Sequence, residues 1–271
     1  MTAAESVVCC DLDGVIWRGA EPIPGSAGAV AELRAAGIRV AFLTNNSSAT
    51  VGQYLDRLAS AGIEAGPGEL CTSAQAAAAL LARELQAGAR VLACAGPGVV
   101  EALRTAGLAV VDGGAVDAGH VDAVVVGWHR EFDFDRLATA ANAARSGARF
   151  VATNLDPTFP VAGGLLPGAG ALAAAVATAS GHSPEVAGKP ELPMVQLVRS
   201  RYGDQGVMVG DRPSTDGALA AALGWPFALV LSGVGGSPGE EPIPDPPPPF
   251  LGADLAHVVP QLIDALTVPA S

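Results

Sequence analysis

Two kinds of apolar pattern alternate along the chain. Short apolar runs bounded by glycine or polar clusters are typical of buried strands, whereas longer segments with apolar residues three and four positions apart are typical of helices. The predicted strands cover 7–10, 38–43, 70–72, 90–95, 108–111, 121–127, 149–153, 205–210 and 227–231. The predicted helices cover 26–36, 51–61, 74–85, 97–106, 134–146, 170–180, 191–201, a segment ending at 223, and 255–266. This alternation favours right-handed βαβ units, and therefore an α/β fold with a parallel sheet.

Three connecting features carry further predictions. Residues 15–25, with prolines at 22 and 24, are predicted to form a loop that lies over a pocket as a flap. Ser26 is predicted to cap the first helix, and Gly37 to end it. Residues 238–249 include seven prolines and predict an extended, stiff connection before the last helix.

Polar side chains directly follow several of the predicted strands. Asp11 and Asp13 follow the first strand, and the run Thr-Asn-Asn-Ser-Ser at 44–48 follows the second. Asp211 follows the strand at 205–210, and Asp216 ends the loop predicted over 212–216. Ligands of open α/β sheets bind at the carboxyl ends of parallel strands, so these groups are expected to rim one pocket.

Each of these polar groups, taken alone, also has a simpler interpretation. An Asp-x-Asp pair before a glycine is compatible with a capped turn, and Asp216 with a plain helix cap. Residues 44–48 are either a helix cap with a turn or an anion site made of hydroxyl, amide and backbone N–H donors. Lys189 opens a further polar segment and, taken alone, is compatible with a solvated charge at a helix start. The individual patterns leave these alternatives open.

The types of polar residue narrow the choice of metal. Carboxylate oxygens with water as the remaining ligands describe a magnesium site rather than a zinc site, and the four histidines show no ligand spacing. The four cysteines form no C-x-x-C pair, and Cys9 and Cys10 lie in a predicted core strand, where cysteine packs as a small hydrophobe. We therefore expect reduced thiols and a reducing compartment.

Net charge narrows the choice of partner. The chain of 271 residues carries a formal charge of −12 with a pI of about 4.6, which disfavours nucleic acid and anionic lipid surfaces. An anionic small substrate would need a local cation. The first residues lack the features of a signal peptide, so a cytoplasmic location is expected. The uncharged stretch 157–184 is broken by Pro160, Pro167 and several glycines, which argues against a membrane-spanning helix.

Seven motifs, taken together and in order, are far more specific than any of them alone. They are Asp11-Leu12-Asp13-Gly14, Pro22-Ile23-Pro24-Gly25, Thr44-Asn45-Asn46-Ser47-Ser48, Thr153-Asn154-Leu155-Asp156, Gly188-Lys189-Pro190, Gly210-Asp211-Arg212 with Asp216, and Leu231-Ser232-Gly233-Val234. This set resembles the haloacid dehalogenase-like hydrolase superfamily, type IIA, the subgroup of nucleotide, phosphoglycolate, glycerol-phosphate and p-nitrophenyl phosphatases. The resemblance covers nearly the whole chain. Val15 and Ser214 depart from the residues common there, threonine and aspartate, but neither change removes a group that the chemistry requires.

The resemblance implies specific roles for the acidic residues. Asp11 would be the nucleophile that forms an aspartyl-phosphate, and Asp13 the general acid and base. Magnesium would be bound by Asp11, by the backbone carbonyl of Asp13 and by Asp211, with Asp216 supporting the metal.

The resemblance also implies the remaining site residues. Thr44, Asn45 and Lys189 would bind the phosphoryl group. Asn154 and Asp156 are candidate substrate contacts, although they are equally suited to making the turn into Pro157. His129 and Arg130 form a second candidate pair, for which a surface loop is the favoured interpretation.

The domain organisation expected from the resemblance is a Rossmann-like core interrupted by an α/β cap. The core would comprise 1–81 plus 185–271, and the cap would comprise 82–184. Self-association through the cap is left open by the sequence.

The function expected from the resemblance is magnesium-dependent hydrolysis of a small phosphomonoester. Glycerol 3-phosphate or 2-phosphoglycolate is the first substrate hypothesis. The alternatives are phosphoryl transfer to an alcohol acceptor, and a non-enzymatic module in which a phosphorylated aspartate is recognised by a partner. The second acid, Asp13, and an insertion of about a hundred residues argue against the module, because a switch needs neither.

Overall fold

The computed structural model describes residues 6–114, 119–161, 164–233 and 241–267. These residues belong to two compact units. The first comprises Met1–Thr44, Tyr54–Cys71 and Val195–Ser271, and the second comprises Asn45–Gln53 and Thr72–Met194. The predicted division into 1–81 plus 185–271 and 82–184 stays a prediction.

The described residues contain the helices and strands expected for an α/β fold. The strands are β1 (Val7–Asp11), β2 (Trp17–Arg18), β3 (Glu21–Pro22), β4 (Arg39–Thr44), β5 (Leu70–Thr72), β6 (Arg90–Cys94), β7 (Ala109–Asp112), β8 (Ala123–Val126), β9 (Arg149–Ala152), β10 (Thr158–Val161), β11 (Gly164–Pro167), β12 (Glu185–Val186), β13 (Gly206–Gly210), β14 (Phe227–Val230) and β15 (Phe250–Gly252). The helices are α1 (Ser26–Ala35), α2 (Val51–Ser60), α3 (Ser73–Glu84), α4 (Pro97–Thr105), α5 (Phe134–Arg145), α6 (Ala169–Ser180), α7 (Leu192–Tyr202), α8 (Ala218–Leu223) and α9 (Leu255–Thr267).

The sheet of the first unit has β1 near its centre. Its strand order is β15-β14-β13-β1-β4-β5, and the described pairings of β1 with β4 and β13 and of β14 with β13 and β15 are parallel. The chain winds to one side of β1 through β4 and β5 and to the other through β13, so the strand order reverses between β1 and β13. This is the position at which open α/β sheets bind ligands. All five residues of β1 are buried, as expected for a strand covered on both faces.

The second unit is built on its own parallel sheet. The strand order is β12-β9-β8-β6-β7. Alanine-rich helices α5 and α6 pack on it, and their small side chains fill a core with Leu92, Val124, Val126 and Phe150. The fold class predicted from the sequence, a Rossmann-like parallel sheet with a further α/β layer, is confirmed.

Three local predictions need correction. Ser26 does not cap α1: the cap position is Gly25, and the Ser26 hydroxyl donates a hydrogen bond to the Val15 carbonyl at 2.9 Å. The loop predicted at 15–25 contains a short antiparallel hairpin of β2 and β3. The loop predicted after Asp211 forms a π-helical turn over Pro213–Gly217.

The proline-rich prediction falls partly on residues 234–240, which lie outside the described part of the chain, as does Val234 of the last motif. Residues 241–249, by contrast, have no helix or strand. Among the described helices, none has the length and apolar character needed to cross a membrane.

The thiols behave as the sequence predicts. All four cysteines are free and buried. Burial raises the pKa of the Cys10 thiol to about 12, with the Asp11 carboxylate acting in the same direction. The thiol therefore stays protonated at neutral pH and packs as a small hydrophobe.

The core of the second unit gives a direct stability prediction. Leu92 on β6 is fully buried, so Leu92→Ala should lower the free energy of unfolding by about 2–5 kcal/mol through lost burial and a residual cavity. Urea denaturation followed by circular dichroism measures this change. Leu165→Ala is the matched control: its side chain is 60% exposed, so a change within about 0.5 kcal/mol is expected. Equal losses in the two variants would contradict the packing described.

Candidate active site

Three carboxylates meet at the strand ends where the order of the first sheet reverses. Asp11 is the last residue of β1, Asp211 follows β13, and Asp216 lies in the π-helical turn. Cys10 pairs with Val209, so the last residues of β1 and β13 lie side by side. One carboxylate oxygen from each aspartate lies within 4.8 Å of the other two. The parallel register thus assembles a compact, all-oxygen cluster.

The cluster is largely buried. Asp11 is 8% exposed and Asp216 is fully buried. The Asp11 carboxylate accepts a hydrogen bond from the Leu12 backbone N–H at 2.7 Å, and Asp216 accepts one from the Arg212 N–H at 3.2 Å. Buried anions this close together repel one another, and a cation among them removes that cost.

Glycines leave room for the Asp211 and Asp216 side chains. A Cβ atom on Gly233 would lie 1.8 Å from Asp211 Oδ2, and one on Gly210 would lie 2.3 Å from Asp216 Oδ2. Both distances are far inside van der Waals contact. The carboxylates therefore occupy space that any other residue at these two positions would fill.

The donor set fits magnesium. Three carboxylates supply only hard oxygen ligands, and magnesium prefers such oxygens with water completing its shell. Asp216 contributes an oxygen to the same cluster, although the motifs imply only a supporting role for it. Among the described residues, Asp11, Asp211 and Asp216 are therefore the side chains that could hold the ion together.

Asp13 lies just beyond β1 and is fixed by an aromatic neighbour. Its Oδ1 accepts a hydrogen bond from the indole Nε1–H of Trp17 at 3.0 Å. Thr44, the last residue of β4, is 1% exposed. Both residues belong to the first unit, as do the three clustered carboxylates.

The second unit contains Asn45 and Lys189, and the structure brings these two residues together. The Asn45 side chain accepts a hydrogen bond from the Lys189 N–H at 2.7 Å and donates one to the Lys189 carbonyl at 3.1 Å. Lys189 is 4% exposed. A solvated lysine at a helix start is therefore excluded, and the Asn45 amide fixes the backbone that carries it.

The run at 44–48 does not cap α2. That role belongs to Thr50, whose hydroxyl accepts a hydrogen bond from the Gln53 N–H at 3.2 Å. Ser47 instead bonds Thr153 within the second unit, at 3.0 Å between the hydroxyl oxygens. The interpretation of 44–48 as a helix cap is thus wrong.

The remaining predicted residues lie in the second unit. The Asn154 side chain donates to the Asn45 carbonyl at 2.7 Å and accepts from the Asp156 N–H at 3.0 Å, so it helps to form the turn. His129 and Arg130 lie outside the helices and strands, and Arg130 is exposed, as the favoured surface loop predicts; His129, at 6% exposed, is instead buried. Burial lowers the pKa of His129, whose Nδ1 lies 2.9 Å from the Gly127 carbonyl oxygen.

Sequence reasoning missed two supports of the site. Trp17 was assigned only to a loop, although its position four residues after Asp13 is compatible with an indole hydrogen bond to that carboxylate. Ser73 donates its hydroxyl to the Asn45 carbonyl at 2.5 Å, and no motif in the sequence marks that contact between residues 28 positions apart.

Comparison with known protein families places these features in a common context. The haloacid dehalogenase-like hydrolase model matches residues 8–109, and the HAD-hydrolase-like model matches residues 186–258. The D-glycerol 3-phosphate phosphatase of Mycobacterium tuberculosis is 39% identical over 83% of this chain, and the aligned part makes up 62% of that relative's length. The acid sugar phosphatase of Staphylococcus aureus is 36% identical, with 83% of this chain and 85% of the relative aligned.

Solved structures give the same result. The glycerol phosphate phosphatase of Mycobacterium tuberculosis, determined in complex with magnesium, superposes with a TM-score of 0.82 at 36% identity, covering 94% of this chain and 76% of that one. The p-nitrophenyl phosphatase of Archaeoglobus fulgidus superposes with a TM-score of 0.83 at 30% identity, covering 95% and 99%. The family predicted from the motifs is confirmed: the chain belongs to the haloacid dehalogenase-like hydrolases, in the type IIA phosphatase subgroup.

Proposed function

We propose that the protein is a magnesium-dependent phosphatase that hydrolyses a small phosphomonoester through an aspartyl-phosphate on Asp11. The observation that carries this proposal is the oxygen cluster of Asp11, Asp211 and Asp216 at the point where the strand order reverses. A nucleophilic carboxylate needs a neighbouring cation to approach an anionic phosphate, and this cluster is suited to hold one.

In the first half of the reaction, an Asp11 carboxylate oxygen attacks phosphorus. The Asp11 O–P bond forms while the bond from phosphorus to the ester oxygen breaks. The departing alkoxide takes the proton of the Asp13 carboxyl group and leaves as an alcohol. General acid catalysis of this kind contributes about 10²–10⁴-fold to a rate.

In the second half, the Asp13 carboxylate takes a proton from water as that water attacks phosphorus. The bond between phosphorus and Asp11 breaks, which releases inorganic phosphate and restores both carboxyl groups to their starting protonation states. Asp13 thus acts as a general acid in the first step and, once deprotonated, as a general base in the second.

The metal ligands in this proposal are Asp11, the Asp13 backbone carbonyl and Asp211, supported by Asp216. When bound, magnesium supplies charge neutralisation and orientation for the phosphoryl group. Thr44, Asn45 and Lys189 would bind phosphoryl oxygens, as the motifs imply. The burial of Lys189 supports this role, because a cation held out of bulk water attracts an anionic phosphoryl group more strongly than a solvated cation does.

The substrate hypothesis is glycerol 3-phosphate or 2-phosphoglycolate. Its support is the activity named for the relatives, a glycerol 3-phosphate phosphatase and an acid sugar phosphatase. Asn154 and Asp156 remain candidate substrate contacts. Discrimination among such small esters can depend on one or two hydrogen bonds.

A phosphate-release screen over small phosphomonoesters, with and without magnesium, tests the proposal. We expect turnover of at least one small ester that is lost on chelation. The screen includes glycerol 3-phosphate, 2-phosphoglycolate and p-nitrophenyl phosphate, with product analysis in the presence of an alcohol acceptor. A phosphorylated acceptor would instead indicate transfer, and a long-lived phosphoprotein without turnover would indicate a signalling module.

A further inference from the structure

The side chain of Trp17 is a rigid partner for the Asp13 carboxylate. The Trp17 residue is 1% exposed, and its backbone N–H donates to the Leu12 carbonyl at 3.1 Å. Its carbonyl in turn accepts a hydrogen bond from the Gly14 N–H at 2.7 Å. The turn between Leu12 and Trp17 therefore closes on itself, and the indole Nε1–H that reaches Asp13 Oδ1 is held by both burial and backbone.

Arg57 on α2 stacks against the same indole. Its guanidinium carbon lies 3.8 Å from the centre of the Trp17 ring, and its side chain donates a hydrogen bond to the Gly19 carbonyl. Partial burial lowers the pKa of Arg57, whereas the charge of Asp13 acts in the opposite direction. A cation on the face of an indole stabilises the ring in its place and polarises it.

We propose that Trp17 and Arg57 are positioning residues for the proton transfer by Asp13. This inference rests on the proposed function. Trp17 fixes Oδ1 of the carboxyl group and thereby aims Oδ2 at the ester oxygen of the substrate. Arg57 stacks on the face of the indole ring and acts through Trp17 rather than on the substrate.

Such positioning has a kinetic signature that depends on the leaving group. An alkyl ester releases a strongly basic alkoxide, which needs a well-aimed acid in the transition state. p-Nitrophenolate is a stable anion and leaves without protonation. A change that only misorients the Asp13 carboxyl group therefore slows the hydrolysis of alkyl phosphates more than that of p-nitrophenyl phosphate. Small misplacements of a catalytic group have large effects on rate.

The decisive variant is Trp17→Phe, which keeps an aromatic face for Arg57 and removes the N–H donor. Steady-state initial rates are measured in the presence of magnesium for p-nitrophenyl phosphate, phenyl phosphate and glycerol 3-phosphate. We expect kcat/KM for the alkyl ester to fall about 10-fold or more, and that for p-nitrophenyl phosphate to fall less than about 3-fold.

Trp225→Phe is the matched control. Trp225 lies in the same unit, is 6% exposed, and donates its indole N–H to the Asp204 carbonyl at 2.8 Å. Its replacement removes an equivalent hydrogen bond with no link to a carboxylate. We expect any fall in kcat/KM of the Trp225→Phe variant to be the same for all three esters.

Three further variants keep the test decisive if Trp17→Phe does not fold. Replacement of Trp17 by benzothienylalanine keeps the shape of the indole without its donor and should reproduce the selective loss. Arg57→Met should give a selective loss of about 2- to 5-fold, and Arg57→Lys should restore part of it by returning the cation.

Each outcome has a distinct meaning. Selective loss with the alkyl ester supports the positioning role. Equal losses with all esters in folded variants overturn it and leave Trp17 as a packing residue. A wild-type protein without turnover of any ester overturns the proposed function, and this inference with it.

Discussion

Asp11→Asn should reduce phosphate release by at least about 10³-fold, the scale of loss when a covalent nucleophile is removed. The amide is close in shape to the carboxylate, so the buried site at the end of β1 should persist. The asparagine amide does not attack phosphorus to form the acyl phosphate. The substitution also removes one charged oxygen from the cluster with Asp211 and Asp216. Steady-state phosphate release and mass measurement of rapidly quenched protein test both consequences.

Asp56→Asn is the control for this substitution. Asp56 is exposed on α2, in the same unit, and makes no part of the carboxylate cluster. Its replacement makes the same change of charge and should leave turnover within about 2-fold, because an isolated surface charge contributes little. Near-normal turnover in a folded Asp11→Asn protein would reduce the opening Asp-x-Asp motif to a capped turn.

Gly233→Ala should weaken magnesium activation by about 10-fold or more, although it changes no functional group. The added methyl would lie 1.8 Å from Asp211 Oδ2, so either the carboxylate or the backbone near Ser232 has to move. Loss of a contact that orients a metal ligand lowers metal affinity on the order of 10–100-fold, and we expect a displaced Asp211 carboxylate to have a similar effect. Titration of activity with magnesium, and calorimetry without substrate, measure the change.

Gly28→Ala is the matched glycine substitution. Gly28 lies within α1, and nothing lies within 4 Å of the position of an added Cβ. Alanine there should stabilise the helix by about 0.5–1 kcal/mol and leave the magnesium requirement unchanged. If Gly233→Ala bound magnesium with normal affinity, the close packing around Asp211 would not be a requirement of the site.

The parallel sheet was predictable because its strands are local signals. β1 has four apolar residues followed by Asp11, and β13 runs from Gly206 to Gly210 and is followed by Asp211, so each pattern can be read without long-range information. The rule that parallel strands gather their carboxyl ends at one edge then places Asp11 and Asp211 in one cluster. Asp216 was predicted at the same edge because it follows β13 closely in the sequence, and the family motifs added its supporting role at the metal.

Contacts made by side chains at a distance in the chain were not predictable. The amide of Asn45 bonds the backbone of Lys189, 144 residues away, and no periodicity in either segment records that partnership. Trp17 and Arg57 are separated along the chain by β3, α1 and β4, so their stacking depends on how the first unit folds. Pattern reasoning finds residues that must be buried, but it does not say which polar atom each of them meets.

Capping was predicted in the wrong place for a physical reason. Ser26 has the residue type of a helix cap, but Gly25 takes that position with φ of 88°, a left-handed conformation that glycine adopts without strain. The serine hydroxyl is then free to bond Val15. Residue type alone did not decide between these arrangements, because both satisfy the hydroxyl.

The close packing of Gly210 and Gly233 against the acidic side chains also bears on how this protein tolerates genetic change. Neither glycine carries a chemical group that a reaction could use. An oxygen of Asp216 occupies the place where a side chain of residue 210 would begin, and an oxygen of Asp211 does so for residue 233. In a library of all single substitutions selected for activity, both positions should therefore be as intolerant as the aspartates. A search for active-site residues based on reactive side chains alone would overlook them.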